Sequence, residues 1–315
     1  MRWNVPTVEV CQAGERLVVL PGVFGDGDIR TFTGASTERE FFAFLKKAEA
    51  VESAANMLLM PLLETVVDLT SCAAVKQIQR ASEMMAVVHR LNLEFAGKPA
   101  ETRMSSDHFM DVFRQFGVHW RVNDLPPSGA QDVEYLKRDL IVGIDYPHYE
   151  AAVLRQFPAL LDDERQALDR LMHEPSLTEL MLKEHDVTVE QLQNATPDEL
   201  RILAEARPTL VAYQQLLDLN ARISSSHLML TMKFLFKPIR AREAAGIADS
   251  GVVSNRAGST GMLERYLVAL TRARKNHALA AFRRIPQDEL ARLARIETMP
   301  TVSSDELPHI IRLAA

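Results

Sequence analysis

The sequence predicts an all-α protein, a multi-helix domain with a short irregular or β segment at its N-terminus. From residue 37 onwards, apolar residues recur at helical spacing in one segment after another. Only the opening stretch, which contains RLVVLPGVFGDGDIRTFTG, is rich in glycine and β-branched residues, as is typical of a strand with loops. Hydrophobic residues make up 47% of the 315 residues, enough for a large helical core.

Composition and charge exclude several classes of protein. The net charge is −6, so no basic surface for nucleic acid is expected. We interpret the small basic group Arg272, Arg274 and Lys275 as a solvated helix face. Cys11 and Cys72 are too few for a disulfide framework. No apolar run reaches eighteen residues, so no membrane partner is expected, and the N-terminus lacks a signal-peptide pattern, which favours a cytoplasmic protein.

The elements follow one another along the chain as helices separated by short breaks. Thr37 to Glu40 has the capping-box pattern of a helix start, and Pro61 predicts a kink or interruption of that helix. A long helix starts near Pro208 and is expected to stop before Pro238, followed by a loop at 239–258. Other helices are predicted near 71–92, 105–117, 131–143, 148–157, 162–173, 176–184, 197–206, 261–282 and 286–297. The predicted units are the N-terminal segment 1–35, a helical domain 36–285, and a C-terminal helix with tail 286–315.

The long helix contains an unusual stretch, SSSHLMLTMKFLFKP, in which three serines precede a lone histidine, His227. One interpretation is a core histidine with satisfied hydrogen bonds. The other is an axial haem ligand, because that role needs one neutral imidazole, an apolar wall and small neighbours such as Ser224. No HExxH motif occurs, and no second histidine lies three or four residues from His227, so a zinc site is not predicted.

Four segments together resemble the haem domain of the indoleamine 2,3-dioxygenase superfamily. The histidine stretch is similar to the family's proximal helix, which implies that His227 ligates haem b and that Ser224 adjoins it. The stretch DHFMDVFRQF resembles a helix with a Phe-Phe-x-x-x-Arg pattern. By this resemblance Phe109 and Met110 hold the substrate ring and Arg114 binds its carboxylate, whereas the pattern alone equally fits a surface arginine.

The other two similar segments are loops. PSGAQ resembles the family's distal Ser-Ala-Gly-Gln loop, which implies that Ser128, Gly129 and Ala130 contact the haem or the substrate. NRAGSTG resembles a Gly-Thr-Gly-Gly-Thr loop over the amino-acid end of the substrate. The residues in that place are Ala257, Gly258, Ser259 and Thr260. Without the resemblance, the first loop is a surface turn and the second a helix N-cap.

The sequence also departs from the family. Ser224 stands where the family has an arginine, so another group must pair with a haem propionate; Arg222, Arg240 and Arg256 are candidates. Leu45 occupies the place of a distal serine, and Phe41 is expected to form a pocket wall beside it. No distal histidine is evident, although the sequence leaves His89, His108 and His119 as candidates.

The resemblance implies a haem-dependent oxygenase of secondary metabolism that acts on an aromatic amino acid. Tryptophan or a substituted tryptophan is the expected substrate, with O2 or H2O2 as oxidant, because indole is reactive enough to need no acid–base residue. A haem-dependent tyrosine hydroxylase and a non-catalytic haem sensor or carrier are the alternatives. A homo-oligomer is expected from the resemblance only.

Overall fold

A computed structural model describes residues 29–116, 132–247 and 263–294, together with the backbone of two strands. These strands, β1 (Val8–Ala13) and β2 (Arg16–Pro21), form one antiparallel hairpin in which Val8 lies opposite Pro21. All other regular structure in these ranges is helical, so the all-α prediction is confirmed, with the hairpin as its short N-terminal addition. No helix among the described residues is long and apolar enough to cross a bilayer.

Twelve α-helices lie within the described residues. Their bounds are α1 Ser36–Leu63, α2 Cys72–Gly97, α3 Val133–Val142, α4 Tyr149–Leu154, α5 Asp162–His173, α6 Leu177–Glu184, α7 Val189–Asn194, α8 Pro197–Ala206, α9 Pro208–Thr231, α10 Lys237–Ala244, α11 Glu264–Lys275 and α12 Gln287–Leu293.

The core forms around α9, which packs against α2 on one side and α11 on another. Most residues of α9 are buried, and apolar side chains occur around its whole circumference, as expected of a helix enclosed by others. Small residues allow the close approach. The side chain of Asn92 on α2 donates a hydrogen bond to the Oγ of Ser226 on α9 over 2.9 Å. The helix that carries His227 is therefore held rigidly in the centre of the domain.

Two proline predictions were wrong. Helix α1 continues through Pro61 to Leu63, so the proline lies in its last turn and does not interrupt it. The chain also stays helical across Pro238. The α-helical pattern of α9 ends at Thr231, a π-helical turn covers Met232–Phe236, and Pro238 lies in the first turn of α10. The proline is tolerated in this first turn, which follows directly on the π-helical turn without a break in the helix. The predicted loop at 239–258 is thus helical up to Ala244.

The start of α1 also differs from the predicted capping box. The N-cap is Ala35, which makes no side-chain cap. Instead, the carboxylate of Glu38 accepts hydrogen bonds from the backbone N–H groups of Phe32 (2.8 Å) and Thr33 (3.1 Å). The carboxylate therefore stabilises the turn that leads into the helix.

Candidate functional site

A large cavity lies in the middle of the helical domain, bounded by α1, α2, α3, α4, α9 and α11. We call it the central cavity. The volume of the cavity is about 280 Å³, whereas one ordered water needs roughly 10–15 Å³. Its lining is mainly aromatic and aliphatic, with a few polar and charged side chains at defined places, which is the usual composition of a small-molecule site.

His227 lines this cavity. The residue is exposed even though it lies among the helices that enclose the cavity. Among the described residues its ring nitrogens accept or donate no hydrogen bond, and its nearest aromatic neighbour is Tyr135, with ring centroids 6.4 Å apart. Burial within the protein, together with the charges of Arg274 and Arg138, lowers the pKa of His227 to about 4. The imidazole is therefore neutral at pH 7 and has a free nitrogen available to a ligand.

The three serines before His227 have different environments. Only Ser224 lines the central cavity. Ser225 donates to the carbonyl of Ala221 over 2.8 Å, and Ser226 donates to the carbonyl of Ile223 over 2.8 Å. Ser225 and Ser226 thus bond back to their own helix, whereas Ser224 alone adjoins the space beside His227.

Arg274 closes one side of the cavity through a buried network. Its Nε donates to Asp139 over 3.1 Å, its Nη2 also donates to Asp139, and its Nη1 donates to the Oγ of Ser224 over 2.8 Å. Asp139 additionally accepts a hydrogen bond from the hydroxyl of Tyr149 over 2.6 Å. Burial would raise the pKa of Asp139, but the charges of Arg274 and Arg138 and the hydrogen bonds from Arg274 and Tyr149 together outweigh it and lower that pKa. The interpretation of Arg274 as part of a solvated helix face was wrong, because its side chain is only 5% exposed.

A second buried pair lies beside the first. The Nη1 of Arg138 donates to the Oε1 of Glu52 over 2.7 Å, and both side chains are almost fully buried. The ring of Tyr135 connects the two pairs, since the guanidinium of Arg138 lies 4.4 Å from its centroid and that of Arg274 5.2 Å. Burial raises the pKa of Tyr135, so its phenol stays neutral. Two arginine–carboxylate pairs thus flank one aromatic ring, and Arg274, Glu52 and Tyr135 of this group line the cavity.

Phenylalanines form the opposite wall. Phe41 lies within 6 Å, centroid to centroid, of Phe95 (5.9 Å) and Phe109 (5.9 Å). Phe95 stacks on Phe44 at 4.6 Å and meets Phe234 edge-on at 5.9 Å. Offset and edge-to-face contacts of this kind add stability beyond burial alone. The wall is therefore well suited to pack against a flat aromatic or macrocyclic ligand.

The structure brings together five of the predicted site residues and separates two others from them. The lining of the central cavity includes His227, Ser224, Phe41, Leu45 and Phe109. Met110 is fully buried and not in the lining, although it packs with Leu235, which is, and with Phe236 and Ile239. Arg114, 5% exposed, is also not in the lining. The loop residues Ser128, Gly129, Ala130, Ala257, Gly258, Ser259 and Thr260 lie outside the described residues.

The other candidates differ in position. Arg222 is exposed on α9, Arg240 pairs with Glu264, and Arg256 lies outside the described residues. His108 contacts Glu38 over 2.9 Å, His89 is not in the lining, and His119 is not described.

Sequence reasoning missed Arg274, Tyr135, Glu52 and Asp132, all of which line the cavity. One feature of the sequence could have indicated such residues. Charged and apolar residues alternate in α3, so some of its charged side chains must face the core. Within the described residues, no three His, Cys, Asp or Glu side chains converge as ligands for a bare metal ion. Against known proteins, no family model matches the chain, and no curated protein matches it.

Proposed function

We propose that the protein is a haem-dependent oxygenase of an aromatic amino acid, with tryptophan or a substituted tryptophan as substrate. The observation that carries the proposal is His227: a neutral imidazole without a hydrogen-bond partner among the described residues, facing a large aromatic-walled cavity. A single imidazole in an apolar cavity suits haem, which brings four of its own ligands, better than a bare metal ion.

The polar side chains near His227 also suit a porphyrin. Arg274 adjoins the cavity beside Ser224, and the three hydrogen bonds described above use three of the five N–H donors of its guanidinium. The remaining donors can bind an anionic group such as a propionate. In this proposal Arg274 supplies the guanidinium that the similar family places at the position of Ser224.

Haem bound in the cavity would supply the activation of oxygen that oxidation of an indole ring requires. The protein's own part is to hold the ring, orient it and exclude water. Phe41, Phe109 and Leu45 offer the apolar surface for the ring. The resemblance also assigns the substrate carboxylate to Arg114, which lies five residues after Phe109 but outside the cavity lining; a guanidinium binds carboxylates through two parallel hydrogen bonds.

The test is the absorption spectrum of protein expressed with a haem precursor, for the wild type, His227→Ala and a control. His173→Ala is the matched control, since His173 is exposed and contacts only its own helix. We expect a Soret band in the wild type and in His173→Ala, and its loss or displacement in His227→Ala. Haem bound equally by all three proteins, or by none, would refute the proposal.

Titration of the haem-loaded wild type with amino acids then tests the substrate. Tryptophan is expected to shift the Soret band and to be consumed when a reductant and O2, or H2O2, are added. A shift with tyrosine alone would identify the tyrosine hydroxylase alternative. A haem spectrum that no aromatic amino acid changes would favour a haem sensor or carrier.

A further inference from the structure

An acidic group borders the central cavity where the start of α3 meets α1. Its four carboxyls influence one another electrostatically. Three of them have a cationic partner within hydrogen-bonding distance. These pairs are Glu49 with Lys46 at 2.5 Å, Glu134 with Lys137 at 2.9 Å, and Glu52 with Arg138 at 2.7 Å.

The fourth carboxyl, Asp132, has no cationic partner among the described residues. It lines the central cavity and caps α3, where its Oδ1 accepts the backbone N–H groups of Glu134 (3.0 Å) and Tyr135 (3.3 Å). Its Oδ2 accepts no hydrogen bond from the described residues. Burial and the neighbouring charge of Glu52 raise the pKa of Asp132 well above its usual range. Among the described residues, Asp132 is thus the one carboxyl of the acidic group without a cation beside it, and a cation bound there would favour its ionised form.

Glu52 provides an independent observation. Its side chain lines the cavity, yet the residue is only 3% exposed. Oε1 accepts the hydrogen bond from Arg138, whereas Oε2 is buried without any hydrogen-bond partner. A buried carboxylate oxygen without a donor is costly, so a ligand that brought an N–H donor to it would be stabilised. Of the charged groups around Asp132, Glu52 has the largest effect on its pKa.

We propose that Glu52 and Asp132 bind the ammonium group of the organic ligand that occupies the central cavity. One ammonium group carries a positive charge and three N–H donors, which suit two neighbouring carboxyl oxygens that accept no hydrogen bond from the described residues. The inference rests on the proposed function only in assuming that the rest of the ligand is an aromatic ring.

An organic cation fits this place better than a divalent metal ion. Calcium and magnesium need six or more oxygen ligands. In the part of the chain that the structure describes, no three acidic or other metal-binding side chains converge here or elsewhere. Two carboxyl oxygens at the edge of an apolar cavity instead match a primary amine attached to a hydrophobic group.

The experiment compares two indole ligands that differ only in the charged end. Tryptamine carries an ammonium group, and 3-indolepropionate carries a carboxylate. Binding of each to the protein as purified is measured by isothermal titration calorimetry, for the wild type, Asp132→Asn and Glu52→Gln. Asp132→Asn is the cleaner variant, because asparagine also caps helices and no ion pair is lost. Glu134→Gln is the matched control, since Glu134 belongs to the acidic group but does not line the cavity.

We expect tryptamine to bind the wild type and Glu134→Gln alike, and at least tenfold more weakly to Asp132→Asn and Glu52→Gln. Affinity for 3-indolepropionate should stay the same or increase in both variants. The proposal is overturned if Asp132→Asn binds tryptamine normally, if Glu134→Gln loses as much affinity, or if the wild type binds no tryptamine.

Haem content, measured on the same samples, separates this inference from the proposed function. Haem-loaded protein without any preference for the amine would overturn the inference and leave the oxygenase proposal standing. If the protein never takes up haem but binds tryptamine through these carboxyls, the oxygenase proposal is overturned and this inference stands.

Discussion

The Nη1 of Arg274, on α11, donates a hydrogen bond to the Oγ of Ser224, on α9, over 2.8 Å. Ser224 precedes His227 by three residues on the same helix. A guanidinium thus reaches this position from a different helix, fifty residues further along the chain. The same guanidinium also binds the buried carboxylate of Asp139 on α3. Arg274 therefore joins α3, α9 and α11 around the cavity.

For the buried ion pair of Arg274 and Asp139, the loss of one partner should destabilise the protein more than the loss of both. Arg274→Met leaves a buried, unpaired carboxylate and is expected to lower the free energy of unfolding by about 3–5 kcal/mol. The double variant Arg274→Met with Asp139→Leu should recover much of that loss, since both charges are then absent. Urea denaturation at pH 7 measures each value. Arg272→Met, on the exposed side of α11, is the control, expected within about 0.5 kcal/mol of wild type. An Arg274→Met variant as stable as this control would contradict the prediction.

A second buried cluster predicts how stability depends on acid. Asp218 on α9 contacts the Nε2 of His277 at 3.0 Å and the Nε of Arg283 at 2.7 Å. Burial alone would raise its pKa, but these hydrogen bonds and the Arg283 charge prevail and lower the pKa to about 2. Because the folded pKa lies below the unfolded value, the stabilisation is complete above about pH 4 and is lost as the pH falls towards 2. It amounts to about 2 kcal/mol.

Asp218→Asn should therefore lose stability at pH 6 and show a flatter decline between pH 4 and pH 2. Urea denaturation at pH 6, 4 and 3 gives both quantities. Asp145→Asn, an exposed aspartate, is the control and should follow the wild-type pH dependence. The same slope in Asp218→Asn and wild type would show that Asp218 does not have a lowered pKa.

The C-terminal end of α3 depends on a glycine. Gly143 has φ +73°, and a Cβ there would lie 2.3 Å from the Oγ of Ser176. Gly143→Ala is expected to cost about 2–4 kcal/mol, from the left-handed conformation and the clash together. Gly97→Ala is the control, because no atom lies within 4 Å of a Cβ at that position and its φ is ordinary. It should be neutral or slightly stabilising. Thermal unfolding of the two variants compares them directly, and equal melting temperatures would refute the prediction.

Tyr135 should contribute through its ring rather than its hydroxyl. Guanidinium groups of Arg138 and Arg274 lie 4.4 Å and 5.2 Å from the ring centroid. Tyr135→Phe keeps both cation–π contacts, whereas Tyr135→Leu removes them, at about 0.5–2 kcal/mol each. Chemical denaturation should therefore place Tyr135→Leu at least about 1 kcal/mol below Tyr135→Phe. If Tyr135→Phe were the less stable variant, the hydroxyl and not the ring would be the stabilising group.

Local patterns were sufficient for much of the fold. The helical periodicity of α5 and α8 predicts both within the bounds observed, because each helix has an apolar stripe and a defined start. The same periodicity identified the helix of His227. Prolines were misjudged at Pro61 and Pro238, because their effect depends on whether they fall in the interior of a helix or in a terminal turn. That position is decided by where neighbouring helices pack.

The sequence by itself determined the helical class, the long helix with its lone histidine, and the aromatic residues around it, because these depend on spacings of a few residues. Tertiary structure alone decided which charges face the cavity. Arg274 looks like part of a solvated basic run until Asp139, 135 residues earlier, lies against it. The acidic group is likewise assembled from two helices, with Asn56 of α1 bonded to Glu134 of α3, 78 residues apart. Periodicity indicates which side of a helix is covered; only packing determines what covers it, and that decides the chemistry of the site.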